Sequence, residues 1–299
     1  AFENNLGFVY DRLGEYRRAL IHYRNILDTV DPGEHPLVYR FAYSNLGRLY
    51  QVTADYDRSE SYYRQSITFS ESSSGTISTT RCALGATLRM KGDIDRALAE
   101  QNLCLRQAEA TDNTRATILA RYELAESLLM KGDQEAAWLN VQWAWQQGAS
   151  DISPALRARV MRLYAWLSQL RGNQEQASFI INEALVQQNE EQARLDMADK
   201  IENLAMAMNI GLVQGDMALA EQHGLLAIDL VETQYEQFES ERLGPSWGSR
   251  THRIYVQLAE AYIRQHLATC DQQALGKAFA ITERSRAASL RQQFSRYQQ

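Results

Sequence analysis

The stretch LGFVYDRLGEYRRALIHY, residues 6–23, decides the fold because its landmarks recur along most of the chain. The small residue at its start returns at steps of 40, 38, 40, 40 and 43 residues, as Gly7, Gly47, Gly85, Ala125, Ala165 and Met208. Seven positions later comes a turn residue, which is Gly14, Ala54, Gly92, Gly132, Gly172 or Gly215. Five positions further lies a second small residue, which is Ala19, Ser59, Ala97, Ala137, Ala177 or Ala220. Three residue types in one register predict an array of helix pairs, each with a first helix, a tight turn and a second helix.

This pattern resembles the tetratricopeptide repeat, which places Leu-Gly and Tyr on a first helix and Ala with an aromatic residue on a second. The best match is Leu6-Gly7-Tyr10-Gly14-Tyr16-Ala19-Tyr23, followed by Leu46-Gly47-Tyr50-Tyr56-Tyr63 with Ser59 where Ala is usual. The period is longer than the usual one, so the likeness is to long repeats such as those of the kinesin light chain. The resemblance implies an all-α, right-handed superhelical solenoid whose first helices line a concave surface.

The register predicts seven antiparallel helix pairs in one continuous domain, residues 1–299, because a solenoid grows by adding repeats to one core. The expected repeats span residues 1–35, 36–75, 76–113, 114–152, 153–192, 193–240 and 251–299. The longer interval before Ala259 predicts a loop insertion at residues 235–250. The last helix is expected to be long, from about Gln272 through Tyr297. Only five residues precede Leu6, so we expect the chain to be a fragment of a longer protein.

Composition and charge narrow the classes of function. The net charge of −6 argues against direct nucleic-acid binding, which requires a clustered basic surface. No segment approaches the roughly 20 apolar residues of a membrane span, and we expect a cytoplasmic protein without a membrane partner. Cys82, Cys104 and Cys270 are an odd number without C-x-x-C spacing, which predicts reduced thiols buried in helices.

Signatures of catalysis and cofactor binding are missing. The chain has no G-x-S-x-G, G-x-G-x-x-G, G-x-x-x-x-G-K-[ST] or H-E-x-x-H motif. Its five histidines are scattered over different repeats or loops, and none forms an i, i+4 pair. We therefore expect no enzyme activity, no catalytic residue, no metal site and no cofactor in this chain.

The concave surface is the predicted binding site, with a protein or peptide as its partner. Interface hot spots are enriched in Trp, Tyr and Arg, and guanidinium groups can hold carboxylates bidentately. The candidate groove residues are Asn4, Phe8, Arg12, Arg48, Arg89, Tyr122, Glu126, Arg162, Trp166 and Asn209. The alternative is that the arginines pair with Glu126 and neighbouring acids, and that Trp166 belongs to the core between repeats.

The last helix carries a second resemblance. The run AFAITERSRAASL, residues 278–290, is similar to a helix of CHAT-domain proteins that follows their repeats and precedes a caspase-like peptidase domain. The alternative is a basic helix that caps the array. Together these features predict a non-catalytic interaction solenoid, the scaffolding or sensing arm of a larger bacterial protein, with a CHAT-type peptidase as one form. The second hypothesis is a regulatory domain of a signalling or transcription-control protein that senses a peptide or small ligand. The sequence does not determine the oligomeric state.

Overall fold

A computed structural model describes residues 2–12, 15–69, 74–147, 152–189, 197–237 and 245–297. Within these ranges the chain is an array of α-helices without a β-strand. The helices are α1 (Phe2–Arg12), α2 (Tyr16–Thr29), α3 (Pro36–Val52), α4 (Tyr56–Thr68), α5 (Ser74–Lys91), α6 (Ile94–Ala110), α7 (Thr114–Lys131), α8 (Gln134–Gln146), α9 (Pro154–Leu170), α10 (Gln174–Gln188), α11 (Met197–Gln214), α12 (Met217–Gln237), α13 (Pro245–Thr269) and α14 (Gln272–Tyr297). Consecutive helices pack as pairs, which confirms the all-α architecture, the seven pairs and the long last helix.

Helix contacts divide the chain into two compact units, Ala1–Asp151 and Ile152–Gln299. The first contains α1–α8 and the second contains α9–α14. Each unit has buried apolar clusters of its own, such as Tyr23 with Leu46 in the first unit and Met208 with Tyr262 in the second. The single continuous domain expected from the sequence stays a prediction.

From the second pair to the sixth, the turn inside the pair is built from two consecutive residues with different tasks. Gly132 ends α7 in the left-handed conformation at φ 89°. The backbone N–H of Asp133 donates to the carbonyl of Leu128 at 2.9 Å, which gives the Schellman arrangement of a helix end. The Asp133 side chain then accepts from the N–H of Ala136 at 3.0 Å and caps α8. The same pattern recurs with Gly92, Gly172 and Gly215, and with Ala54, a residue that pays a steric cost at φ 61°.

In the first three repeats the small residue, which is Gly7, Gly47 or Gly85, faces the residue sixteen positions later on the second helix. A Cβ added to Gly47 would lie 2.8 Å from Tyr63 Cδ1, so only a residue without a side chain fits there. In the sixth repeat the sizes are exchanged, because Met208 stands on the first helix and Gly224 on the second. A Cβ on Gly224 would lie 2.9 Å from Met208 Sδ. The irregular Met208 therefore keeps the register by complementing its partner.

A cluster of ion pairs around Glu60 joins the second and third pairs. Glu60 on α4 lies 3.1 Å from Lys91 Nζ, 2.5 Å from Arg96 Nη2 and 3.0 Å from Arg64 Nη2. Burial alone would raise the pKa of Glu60, but the hydrogen bonds from Lys91, Arg96 and Arg64 outweigh it and lower this pKa to about 2.

Two expectations from the sequence are wrong in detail. Residues 235–237 belong to α12 and residues 245–250 to α13, so a loop insertion over 235–250 is not observed; residues 238–244 lie outside the described ranges. Pro245 is compatible with a helix start because the first helical position does not need a backbone N–H. The extra residues of this interval lengthen the two helices.

The expectation that all three cysteines are reduced thiols is also wrong. Cys82 on α5 and Cys104 on α6 form a disulfide. Pairing of these helices brings the two Cα atoms to 5.5 Å, within the range that a disulfide spans, although 22 residues separate them in sequence. Cys270 is a free thiol, but it is exposed and lies between α13 and α14 at φ 58°.

We predict that Gly132→Ala destabilises the chain by about 1 kcal/mol, because an alanine side chain is strained at this φ. No atom lies within 4 Å of the added Cβ, so the cost comes from the backbone alone. The matched control is Gly276→Ala within α14, which also meets no neighbour within 4 Å but has no positive φ. Alanine should raise stability there by about 0.5–1 kcal/mol. Urea unfolding of both variants measures the difference, and equal signs would contradict the assignment.

We predict that Glu60→Gln destabilises the chain by about 1–2 kcal/mol at neutral pH, after allowance for the partial exposure of its partners. The folded-state pKa lies below the unfolded one, so the charged form of Glu60 contributes stability above about pH 4.5. That contribution disappears as the pH falls towards about 2. Unfolding curves at several pH values should therefore converge for wild type and variant in acid. Glu260→Gln, which removes a largely exposed carboxylate, is the control and should show no such convergence.

Candidate functional site

The candidate site is the first-helix face, defined by four positions on the first helix of each repeat. They lie three residues before the small residue, and one, four and five residues after it. Helical spacing places these positions on one side of the helix. All ten groove residues predicted from the sequence occupy one of these positions. In the first unit the face is carried by α1, α3, α5 and α7, and in the second unit by α9, α11 and α13.

In the first unit, polar side chains on this face join one first helix to the next. Asn45 on α3 donates from Nδ2 to Asn4 Oδ1 on α1 at 2.9 Å. Arg48 forms an ion pair with the buried carboxylate of Asp11 on α1. Gln51 on α3 donates from Nε2 to Thr87 Oγ1 on α5 at 3.0 Å. Asn4 and Arg48 therefore hold neighbouring repeats together.

Arg89 is more enclosed than Arg48 and Arg162. Its Nη1 lies 3.1 Å from Glu123 Oε2, its Nη2 lies 3.6 Å from Glu126 Oε2, and both acids are on α7. Burial alone would lower the pKa of Arg89, but the charges of Glu123 and Glu126 outweigh that effect and raise it. The guanidinium is thus permanently charged and engaged within the protein, and Glu126 is its partner.

The second unit repeats this arrangement around Asp199. This buried carboxylate on α11 lies 3.1 Å from Arg159 Nε and 3.2 Å from Arg162 Nη2, both on α9. Arg162 also donates from Nη1 to Asn203 Oδ1 at 2.8 Å. The backbone carbonyl of Asn209 accepts a hydrogen bond from Gln169 Nε2 at 3.5 Å. Asp199 and Asn203 were not among the predicted residues, because their partners lie about 40 positions away in sequence.

The remaining predicted residues divide by exposure. Phe8 is 51% exposed and Trp166 is 36% exposed, whereas Tyr122 is buried. The side chain of Arg12 lies outside the described part of the chain. Arg89 pairs with Glu123 and Glu126, as the alternative stated in the sequence analysis expected. Trp166 does not follow that alternative fully, because about a third of its surface is accessible. Whether the face binds a partner stays a prediction.

A row of apolar side chains occupies the position five residues after the small residue, and the sequence analysis missed it. In the first unit this row contains Met90 and the 59%-exposed Met130; in the second unit it contains Leu170 and the 55%-exposed Val213. Exposed apolar residues at one repeat position need an explanation, because the same position does not contribute to the core. The repeat register itself carries the signal: counting five residues on from each small residue reaches these positions directly.

Two other kinds of site find no support in the described ranges. No group of three or more His, Cys, Asp or Glu side chains is placed there to hold a metal ion. Among the helices that the structure describes, none combines the length and the apolar character required to cross a membrane.

We predict that Arg89→Ala lowers the free energy of unfolding by about 3 kcal/mol, since it leaves the Glu123 carboxylate enclosed without its cation. Urea denaturation gives the value. Arg264→Ala provides the control, because Arg264 is 80% exposed and pairs with Glu260 on its own helix. That change should cost less than about 0.5 kcal/mol. Equal losses in the two variants would show that the Arg89 cluster contributes no more than a surface ion pair.

Comparisons with known proteins agree with this geometry. The family model described as tetratricopeptide repeat matches residues 42–78. Comparison with curated proteins found no sequence match. Among solved structures, the apo form of RapI has a TM-score of 0.62 at 11% identity and covers 100% of this chain and 98% of its own.

Two further structures have the same fold. A Rap protein complexed with competence and sporulation factor has a TM-score of 0.63 at 12% identity, covering 96% of this chain and 76% of its own. The apo form of the quorum sensor NprR from B. thuringiensis has a TM-score of 0.55 at 12% identity, covering 94% and 88%. At these identities the likeness concerns the fold. With the matched repeat and the register of small residues, it leads to one conclusion: the chain has a tetratricopeptide-repeat-like fold with long repeats of about 40 residues, and residues 42–78 match a tetratricopeptide repeat.

Proposed function

We propose that this chain is a non-catalytic protein-interaction domain that binds a peptide segment of a partner protein on its first-helix face. The observation that carries the proposal is the row of exposed apolar side chains at one repeat position, Met90 with Met130 and Leu170 with Val213. Apolar surface held open at a regular position is typical of binding surfaces. The arginines that the sequence suggested as anchors contribute by fixing neighbouring first helices.

The spacing of the row favours a peptide as the ligand. Packed helices lie about 8–10 Å apart, so side chains at the same position of successive first helices are separated by a similar distance. Three residues of an extended peptide span about 10 Å, and so do two turns of a helix. Within one unit, a peptide with apolar residues at either period contacts successive members of the row, whereas a small molecule reaches one.

Trp166 supports the same surface in the second unit. It lies one turn before Leu170 on α9, and the two side chains therefore stand on the same side of this helix. A partly exposed Trp beside exposed aliphatic residues supplies the large contact area typical of interface hot spots. Arg162, held by Asp199 and Asn203, lies one turn before Trp166 and fixes the polar border of this surface.

The test is to pan a phage-displayed random peptide library against the whole chain and measure the affinity of enriched peptides. We expect enriched sequences to carry apolar residues at one of the two periods, and Val213→Glu to weaken binding at least ~10-fold by placing a charge in the row. The matched control is Val186→Glu, since Val186 is 65% exposed and lies near the C-terminal end of α10, as Val213 does on α11. Failure to enrich any peptide, or equal loss in both variants, would contradict the proposal.

A second candidate is a regulatory domain that senses a free peptide or small ligand. The fold comparisons favour it, because one similar structure is a Rap protein complexed with competence and sporulation factor and another is a quorum sensor. Enrichment of short free peptides that change the thermal stability of the chain would favour sensing. If the chain binds peptide segments only when they are part of a folded partner protein, scaffolding is favoured.

We also propose that the chain is the scaffolding or sensing arm of a larger bacterial protein in the cytoplasm. A CHAT-type peptidase is one kind of protein that this larger chain could be. The support is the likeness of residues 278–290. In that run Arg284 binds Asp229 and Glu232 on α12, and Arg286 pairs with Glu283, contacts that equally suit a capping helix. Cysteine-dependent proteolysis by a domain encoded after Gln299 would support the peptidase form, and a domain of another class there would exclude it.

A further inference from the structure

The position six residues after the small residue joins a first helix to the second helix of the preceding pair. In the first unit Lys91 holds this position at the end of α5, and its Nζ lies 3.1 Å from Glu60 Oε2 on α4. In the second unit Gln214 holds it at the end of α11 and donates from Nε2 to Ser178 Oγ on α10 at 2.6 Å. A long polar side chain thus fills the space between the two helices.

The last pair departs from this arrangement. Gln265 holds the same position on α13, but α13 continues for four residues beyond it to Thr269, whereas α5 ends at Lys91 and α11 ends at Gln214. Gln265 donates from Nε2 to Asp271 Oδ2 at 3.4 Å, in the turn that leads to α14. Because the longer helix carries this turn past the start of α12, a pocket opens where earlier pairs are in contact.

The pocket lies between the start of α12, the end of α13 and the start of α14, all within the second unit. Its volume is about 220 Å³, which is far more than a single bound water requires and suits a small organic molecule. Met217 and Ala218 contribute apolar groups to its wall, and Glu221, Asp271 and Lys277 contribute charged groups.

The carboxylate of Glu221 is held in a fixed position. Lys277 Nζ donates to both of its oxygens, at 2.6 Å and 2.9 Å. The buried hydroxyl of Tyr262 also hydrogen-bonds to Glu221. Burial, with the charge of Glu221 and this hydrogen bond, raises the pKa of Tyr262, so the hydroxyl keeps its proton at neutral pH. A ligand therefore meets a preorganised acceptor.

The pocket combines acceptors and donors on adjoining walls. Asp271 Oδ1 accepts from the backbone N–H of Gln273 at 2.8 Å, and a carboxylate has further lone pairs for a ligand ammonium. Lys277 has three N–H groups, of which Glu221 binds two, so the third suits a ligand carboxylate. Two acids and one base disfavour a ligand with a net negative charge.

From this arrangement we infer that the pocket binds a free α-amino acid as a zwitterion. The ammonium contacts Glu221 and Asp271, and the carboxylate contacts Lys277. The side chain of the amino acid packs against Met217 and Ala218. This site is independent of the proposed peptide surface, because its residues lie outside the four positions that define the first-helix face.

The experiment is to screen the proteinogenic L-α-amino acids at millimolar concentration against the whole chain by thermal unfolding, and to measure affinities by calorimetry. We expect at least one of them to raise the melting temperature. Lys277→Met should weaken its binding at least ~10-fold by removing the carboxylate contact. Ala218→Phe should do the same by filling the pocket while every charge stays in place. Circular dichroism of each variant checks that the fold is intact.

Lys131→Met is the matched control, because Lys131 also pairs with an acid, Asp95 at 2.9 Å, but lies on α7 away from the pocket. It should bind the amino acid as the wild type does, and so should Val213→Glu in the peptide row. Failure of the amino-acid screen therefore leaves the peptide surface untouched.

Derivatives of the bound amino acid test the zwitterion directly. Its N-acetyl form lacks the ammonium and its methyl ester lacks the carboxylate, so each should bind at least ~10-fold more weakly. Full affinity of either derivative would overturn the inference. Absence of binding by every amino acid would also overturn it, as would equal losses in Lys277→Met and Lys131→Met.

Discussion

The close approach of the two helices in each pair is the constraint on which the rest of the structure depends. In the repeats that begin with Gly7, Gly47 and Gly85, a residue without a side chain faces a larger residue sixteen positions later. That contact fixes how far each first helix lies from its second helix, and the left-handed turn residue fixes where the second helix begins. Once both are set, the remaining positions of the first helix are free to contact the next repeat or solvent. Met208 and Gly224 show that the constraint concerns the sum of two side chains and not the identity of either.

The first helices use their free positions in two ways. Some carry polar groups that join repeats, as Arg89 joins α5 to Glu123 and Glu126 on α7. Others carry exposed apolar side chains, as Met130 and Val213 do. The polar contacts hold neighbouring first helices at a fixed distance, because an enclosed charge tolerates little displacement from its partner. The apolar row is therefore presented at a defined spacing, which is the property that a peptide-binding surface requires.

The register of small residues was sufficient to predict the helix pairs and the turns at Ala54, Gly92, Gly132, Gly172 and Gly215, because these follow from contacts inside one repeat. The candidate site was predictable only in part. Position on a helix places Arg48 and Arg162 on the first-helix face, but it does not reveal that Asp11 and Asp199 meet them from other repeats. The Cys82–Cys104 disulfide lies inside one repeat and was missed for a different reason, since it depends on which residues of two paired helices stand at the same level. The repeat period alone does not identify which residues of neighbouring repeats contact one another.

The ion pairs between neighbouring repeats, called junctions below, have a consequence for the evolution of the array. Arg48 finds its acid in the preceding repeat, whereas Arg89 finds its acids in the following one. Each junction thus has its own donor, acceptor and polarity, and its two halves are encoded in different repeats. Duplicating, deleting or shuffling a single repeat would bring together mismatched halves and leave a carboxylate or a guanidinium enclosed without a counterion. Although the repeats share one pattern, they form an ordered set of non-interchangeable modules, and the length of the array cannot drift by unequal recombination as freely as its periodicity suggests.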